Sequence, residues 1–286
     1  MSEPSGHALA VPHGRRLAVI AGSGPLPRSV AIAARQQGRP VHVIAFEGQT
    51  DPDWLIEFPH DWVKLGAVAR TLKLLHEAKA DDICMIGPVG RPSLTSLALD
   101  WRALKMLPRL GGGLDAGDDK LLRVIVAELE SEGFRVVGAD DVSSDLLSPP
   151  GQWGRHKPTE QDQKDIDRAI AVLQALGPLD IGQSIVVQQG MVLAVEAIEG
   201  TDRMIERAGQ WRRQAPGGVL VKGRKSAQDR RADLPTIGSG TVDVVAKAGF
   251  AGIAVEAGHS LVVDLEGTTK AANRAGLFIF GLKPFS

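Results

Sequence analysis

The 286-residue chain is 43% hydrophobic and 23% charged, enough to fill the core of one large domain or two modest ones. A formal net charge of −1 offers no basic field for nucleic acid, and 4% aromatics with no Tyr disfavour a base-stacking platform. Cys84 is the only cysteine, which excludes an internal disulfide or a thiolate cluster and fits a reducing cytoplasm.

Residues 1–14, MSEPSGHALAVPHG, lack a charged segment followed by a long apolar one and are expected as a disordered arm. Residues 16–21 read as a buried strand, 28–37 as a helix stopped by Gly38, and 41–46 as the next strand. This βαβ order predicts a parallel, Rossmann-like sheet for residues 15–145. The first turn has Gly22 and Gly24 of the dinucleotide fingerprint, but Pro27 stands at its third glycine. It reads either as a turn that approaches a phosphate or nucleotide at a helix N-terminus, or as a tight connection with no ligand. An NAD-linked oxidoreductase is the alternative that this turn raises, and Pro27 counts against it.

Residues 51–62 look like loop, 66–78 like an amphipathic helix and 82–86 like a third strand holding Cys84 in its apolar run. Gly87 to Pro92 form a rigid, Gly-rich loop, so the turns at Gly22–Gly24 and Gly87–Gly90 are expected to face one pocket at strand ends. A helix is expected over 100–110. Another starts at Asp118 or Asp119, either of which would cap it, and reaches Ser131, with a short strand at 134–137. Three glycines before Asp118, Asp119 and Lys120 suggest a second role in holding sugar hydroxyls or a base.

The Pro- and Gly-rich residues 146–158 read as a linker, followed by a C-terminal mixed α/β domain over 159–286. That domain begins with a helix over 160–176. Two β-rich runs, 184–188 and 191–198, flank Gln189-Gly190, a tight hairpin turn. Glu196, Glu199 and Asp202 surround Gly200-Thr201 before a helical pattern, and a strand over 219–221 runs into Lys222, Arg224, Lys225, Gln228, Asp229 and Asp233. Carboxylates mixed with Lys and Arg at strand ends are what metal–phosphate chemistry needs, although the same residues also describe a solvated surface with ordinary helix caps. A helix to Ala248 and strands at 253–255, 261–265 and 277–280 complete the chain.

The sequence has no G-x-x-x-x-G-K-[ST] loop, no H-E-x-x-H, no G-x-S-x-G and no His/Cys cluster. Carboxylate-bound Mg²⁺ or Mn²⁺ remains as the suited metal. No apolar run approaches the ~18 residues of a spanning helix, which leaves peripheral contact with lipid open.

EAIEGTD (196–202), VLVKGRK (219–225), QDRRADLPTIG (228–238), LDIGQ (179–183), AGSGPLP (21–27) and GDDKLLR (117–123) resemble one family. It is the metal-dependent UDP-2,3-diacylglucosamine pyrophosphatases of lipid A biosynthesis, the type unrelated to calcineurin-like phosphoesterases. The resemblance implies two α/β domains with a lipid-binding cleft between them. It implies Mg²⁺-dependent hydrolysis of UDP-2,3-diacylglucosamine to UMP and 2,3-diacylglucosamine 1-phosphate. The location would be cytoplasmic, peripheral at the inner membrane, with a homodimer left open. Mapped onto this sequence, such a mechanism would bring Asp229 and Asp233 to one metal, with Glu196, Glu199 and Asp202 as competing ligands or the water-activating base. Lys222, Lys225 and Arg224 neutralise phosphoryl oxygens. Gly22, Gly24, Gly87, Asp118, Asp119, Lys120, Gln183, Thr201 and Gln228 are the further substrate-binding candidates. A nucleotide-sugar or lipid-binding regulator without turnover is the non-enzymatic alternative.

Overall fold

The computed structural model describes residues 14–90, 98–110, 118–224, 231 and 234–285. The expected arm therefore lies outside the described residues except for Gly14. The backbone divides into two compact units, one running to Ser144 and one beginning at Asp145.

In the first unit, β1 (Leu17–Ala21) is buried along its whole length because it is flanked by parallel strands on both sides. Helix α1 (Leu26–Gln36) buries Leu26, Val30, Ala31 and Ala34 on one stripe, and Gly38, at φ +74°, turns the chain after it. Then follow β2 (Val41–Phe46), β3 (His60–Val63), α2 (Val68–Glu77), β4 (Asp82–Ile86), α3 (Trp101–Met106), α4 (Asp118–Ser131), β5 (Arg135–Val136) and α5 (Ala139–Val142). The sheet order is β3-β2-β1-β4-β5, all parallel, and the winding direction reverses between β1 and β4. This is the Rossmann-like sheet expected from the sequence. Ile20, Ile44, Leu75, Ile83 and Val126 belong to its core. Residues 51–62, expected as loop, hold a 3₁₀ turn (Pro52–Glu57) and the start of β3. An edge strand with only Val63 buried carries no alternation to read.

The second unit holds β6 (Gly151–Trp153), α6 (Glu160–Leu176), β7 (Ser184–Gln188), β8 (Met191–Val195), α7 (Thr201–Gln210), β9 (Val219–Lys222), β10 (Thr236–Ile237), α8 (Ser239–Lys247), β11 (Gly252–Glu256), β12 (Leu261–Val262), α9 (Leu265–Ala275) and β13 (Phe278–Leu282). Its main sheet runs β6-β13-β11-β9-β7-β8. Strands β9, β11 and β13 are parallel, while β6, β7 and β8 each run antiparallel to a neighbour, giving the mixed sheet expected. Strand β6 falls within residues 146–158, read as linker, and anchors that stretch through buried Trp153, whose Nε1 donates to the Pro149 carbonyl at 2.9 Å.

Gln189 and Gly190 both adopt positive φ, as a two-residue hairpin turn requires. Their amides donate to the two carboxylate oxygens of Asp165 at 2.8 and 2.7 Å, so a fully buried acid on α6 holds the turn. Residues 261–265, expected as strand, pair only at Leu261–Val262, and Leu265 already begins α9. That helix buries only Thr268, Ala271 and Ala272, a face too small to stand out as periodic hydrophobicity.

Candidate functional site

In an α/β sheet, ligands gather beyond the carboxyl ends of the parallel strands. Strand β9 reaches that edge of the second unit with Lys222 as its last residue. Val219, Leu220 and Val221 are fully buried, and Lys222 itself is only 6% exposed. Antiparallel β7 begins opposite it, with Ser184 paired to Lys222 in the ladder. A lysine buried this far needs polar partners, because desolvation otherwise drives its neutralisation.

Thr201, the first residue of α7, provides one. Lys222 Nζ donates to Thr201 Oγ1 at 2.9 Å, and Thr201 Oγ1 donates in turn to Glu196 Oε1 at 3.0 Å. Ser184 Oγ lies 3.3 Å from the same hydroxyl. Glu196 is 8% exposed, and its Oε2 accepts the Gln183 amide at 3.4 Å. One hydroxyl thus links a buried ammonium to a buried carboxylate. Gly182, at φ +55°, is required beside them, since a Cβ there would stand 2.2 Å from the Glu196 carbonyl.

Beyond Lys222 the backbone turns through Gly223 and Arg224. The Gly223 amide donates to the Gln183 carbonyl at 3.0 Å, and the Arg224 amide to Glu256 Oε2 at 3.0 Å. Arg224 Nε and Gln183 Oε1 are buried without a hydrogen-bond partner among the described residues. Donors and acceptors in that state mark polar positions that a ligand can satisfy.

The other candidates in this unit separate. Glu199 pairs with Arg207, and the donated hydrogen bond from that guanidinium, aided by backbone amides, holds the Glu199 carboxyl below the usual range. A carboxylate so held is a weak base. Asp202 is exposed in the first turn of α7. Lys225, Gln228, Asp229 and Asp233 lie outside the described residues. Among the described residues no three His, Cys, Asp or Glu side chains converge as a metal group. Of the expected ligands, Glu196 is engaged with Thr201 and Gln183, so these residues alone do not make a divalent-cation site.

In the first unit, the two glycine turns meet directly. The Gly22 amide donates to the Ile86 carbonyl and the Ser23 amide to the Pro88 carbonyl, both at 2.8 Å. A Cβ on Gly22 would stand 2.3 Å from the Gly87 oxygen. The glycines allow two backbones to touch, and the Gly22 and Ser23 amides are engaged in that contact. Gly24 sits at φ +80° with nothing within 4 Å of a built Cβ. Asp118 and Asp119 open α4, with side chains outside the described residues, and Lys120 is exposed.

Sequence reasoning passed over Ser184, Glu256 and Phe285. Glu256 carried a usable signal, because a charged residue ends the buried strand β11 just as Lys222 ends β9.

Fold and site together define a two-unit α/β protein whose chemistry-bearing side chains collect at the carboxyl edge of the mixed sheet. The chain matches the LpxI N-terminal domain over residues 16–146 and the LpxI C-terminal domain over 149–280. It is 41% identical over 276 residues to the UDP-2,3-diacylglucosamine pyrophosphatase LpxI of Caulobacter vibrioides, covering 94% of this chain and 98% of that relative. It belongs to the LpxI family and is an enzyme of the hydrolase class. A solved structure of glycinamide-RNase-transformylase T from Mycobacterium tuberculosis aligns with 64% of this chain and 44% of its own, at 14% identity and a TM-score of 0.25, too low to carry an argument. Among the described residues no helix is long and apolar enough to cross a membrane.

Proposed function

We propose that this chain hydrolyses the diphosphate of UDP-2,3-diacylglucosamine, releasing UMP and 2,3-diacylglucosamine 1-phosphate for lipid A biosynthesis. The observation that supports it most is the 41% identity along 98% of a relative that bears that activity in its name. The chemistry of the strand-end cluster agrees. Hydrolysing a phosphoric anhydride builds negative charge on the bridging oxygen as it leaves, beside the charge already on the nonbridging phosphoryl oxygens, and fixed donors lower that cost. Lys222, oriented by Thr201 and countered by Glu196, is a cation held ready for such an oxygen. Arg224 brings a second cation on the adjoining turn, and Lys225 a third by sequence. Gln183, Thr201 and Gln228 contact substrate on this reading, while Asp118, Asp119 and Lys120 hold its uridine or glucosamine part.

Mg²⁺, with Mn²⁺ as substitute, belongs to the same reading, with Asp229 and Asp233 as its ligands. When bound it would polarise a phosphoryl oxygen and lower the pKa of a water. The protein works at the inner face of the cytoplasmic membrane, where its acylated substrate resides.

The test is release of UMP from UDP-2,3-diacylglucosamine in detergent micelles, with Mg²⁺ and with EDTA. Turnover that EDTA abolishes and Mg²⁺ restores is expected. Tight binding of intact substrate with no UMP would replace this reading with that of a carrier.

A further inference from the structure

We propose that Glu256 is a positioning residue for this hydrolysis, fixing the Gly223–Arg224 turn together with the C-terminal Phe285. The proposal rests on the reading of Lys222 and Arg224 given above.

Glu256 ends β11 with no exposed surface. A buried carboxylate is costly unless strong donors meet it. Its Oε2 accepts the Arg224 amide and its Oε1 accepts the Phe285 amide, both at 3.0 Å. Those amides come from two stretches far apart in sequence, the turn leaving β9 and the tail leaving β13. One acid ties both to the end of the strand that lies between β9 and β13 in the sheet. Phe285 is held from its other side as well, where Gln174 Nε2 of α6 donates to its carbonyl at 2.5 Å.

The Phe285 ring then closes over the turn. A Cβ on Gly223 would stand 2.4 Å from Phe285 Cζ and 3.4 Å from Glu256 Oε2. Only glycine lets ring and turn approach so closely. The backbone next to Lys222 is thereby held on three sides, by the Gln183 carbonyl, the Glu256 carboxylate and the Phe285 ring. A side chain whose task is to meet a developing charge needs this fixity, since misplacement by about 1 Å can cost about 10²-fold in rate. Neither Glu256 nor Phe285 need touch substrate.

Glu256→Gln keeps the size of the side chain but turns an amide NH₂ toward one of the two backbone N–H groups. Phe285→Pro removes the tail's N–H donor together with the ring, and Phe285→Ala keeps that donor while removing the ring, so the difference between them reports the donor. Each is measured as full-length protein for UMP release, with kcat and KM separated, alongside its melting curve. Glu256→Gln and Phe285→Pro are expected to lower kcat about 10- to 100-fold, with KM held within about 3-fold. Phe285→Ala should fall between them and wild type. In a Lys222→Met background, Glu256→Gln is expected to add little, because both act on one group.

Should wild type release no UMP, the functional reading itself fails. Should wild type turn over while Glu256→Gln and Phe285→Pro match its kcat, or lose activity only in proportion to unfolded protein, the positioning role is overturned. Full additivity with Lys222→Met overturns it too. If Glu256→Gln does not fold, Phe285→Pro compared with Phe285→Ala decides.

Discussion

Lys222 reaches Glu196 through a single hydroxyl, that of Thr201, which accepts from the ammonium at 2.9 Å and donates to the carboxylate at 3.0 Å. The three residues come from the end of β9, the start of α7 and the segment between β8 and α7. Thr201→Val keeps the shape and deletes the link. It takes one partner each from an ammonium and a carboxylate that are both shielded from water, so a stability loss of about 1–3 kcal/mol is expected. Activity should drop about tenfold or more, as when one preorganised donor is disturbed. Thr201→Ser should restore both. Chemical denaturation and UMP release check this, and a valine variant as stable and active as wild type would remove Thr201 from the site.

A second buried acid has a different task. Asp82, at the amino end of β4, is fully buried and receives Arg15 at 2.8 Å, Arg39 at 2.6 Å and Arg135 at 2.8 Å. Burial pushes its pKa up, but hydrogen bonds from Arg135 and Arg15 and the charges of Arg135 and Arg39 outweigh it, leaving the carboxyl below its ordinary value. A depressed folded pKa means the stabilisation is complete above the unfolded value of about 4 and is lost as pH falls through the folded one. Asp82→Asn is expected to cost about 3 kcal/mol near neutral pH, because it leaves arginines short of their counter-charge. The gap between variant and wild type should narrow as the solution is acidified below about pH 4. A constant gap across that range would show that Asp82 is not held as a carboxylate.

The fold was legible wherever one face of an element is strongly apolar. The helix expected over 160–176 is α6 to the residue, and the strands expected over 41–46 and 82–86 are β2 and β4. Elements without such a face were not legible: β3 buries one side chain and α9 only small ones. At the site, sequence spacing singled out Lys222, Glu196 and Thr201 because they lie within about a turn of strand ends. It could not tell Glu196, which faces inward to Thr201, from Glu199, which turns to Arg207, since that depends on how the segment after β8 folds. Glu256 could have been noticed as a charge ending a buried strand, but its hydrogen bonds to the Arg224 and Phe285 amides could not, because backbone amides leave no mark in a sequence.

The glycine turns of the first unit make a prediction by their contrast. Alanine at Gly22 would place its Cβ 2.3 Å from the Gly87 oxygen and 2.6 Å from that of Pro88, both backbone atoms that cannot move aside cheaply. Alanine at Gly24 meets nothing and is strained only by φ +80°. Gly22→Ala is therefore expected to destabilise by about 3 kcal/mol, at the upper end of overpacking costs, and Gly24→Ala by about 1 kcal/mol. Melting curves rank them. Equal melting temperatures, with activity lost only in Gly22→Ala, would instead return Gly22 to a ligand-binding role.

Asp229 and Asp233 carry the proposed metal dependence, since Glu196 is committed to Thr201 and Gln183 and Asp202 is exposed. If the two aspartates hold Mg²⁺, Asp229→Ala and Asp233→Ala should each lose about 10³-fold or more in turnover, with melting temperatures near wild type. Glu196→Gln, by contrast, should destabilise the fold more than it slows turnover at saturating Mg²⁺, because its partners are the hydroxyl of Thr201 and the amide of Gln183. Metal binding separates the two cases without relying on activity. Mn²⁺ titrated into the aspartate variants should show weakened or absent binding by electron paramagnetic resonance, and Glu196→Gln should bind as wild type does. Undiminished Mn²⁺ affinity in both alanine variants would move the ligands elsewhere, and loss of affinity in Glu196→Gln would return Glu196 to the metal.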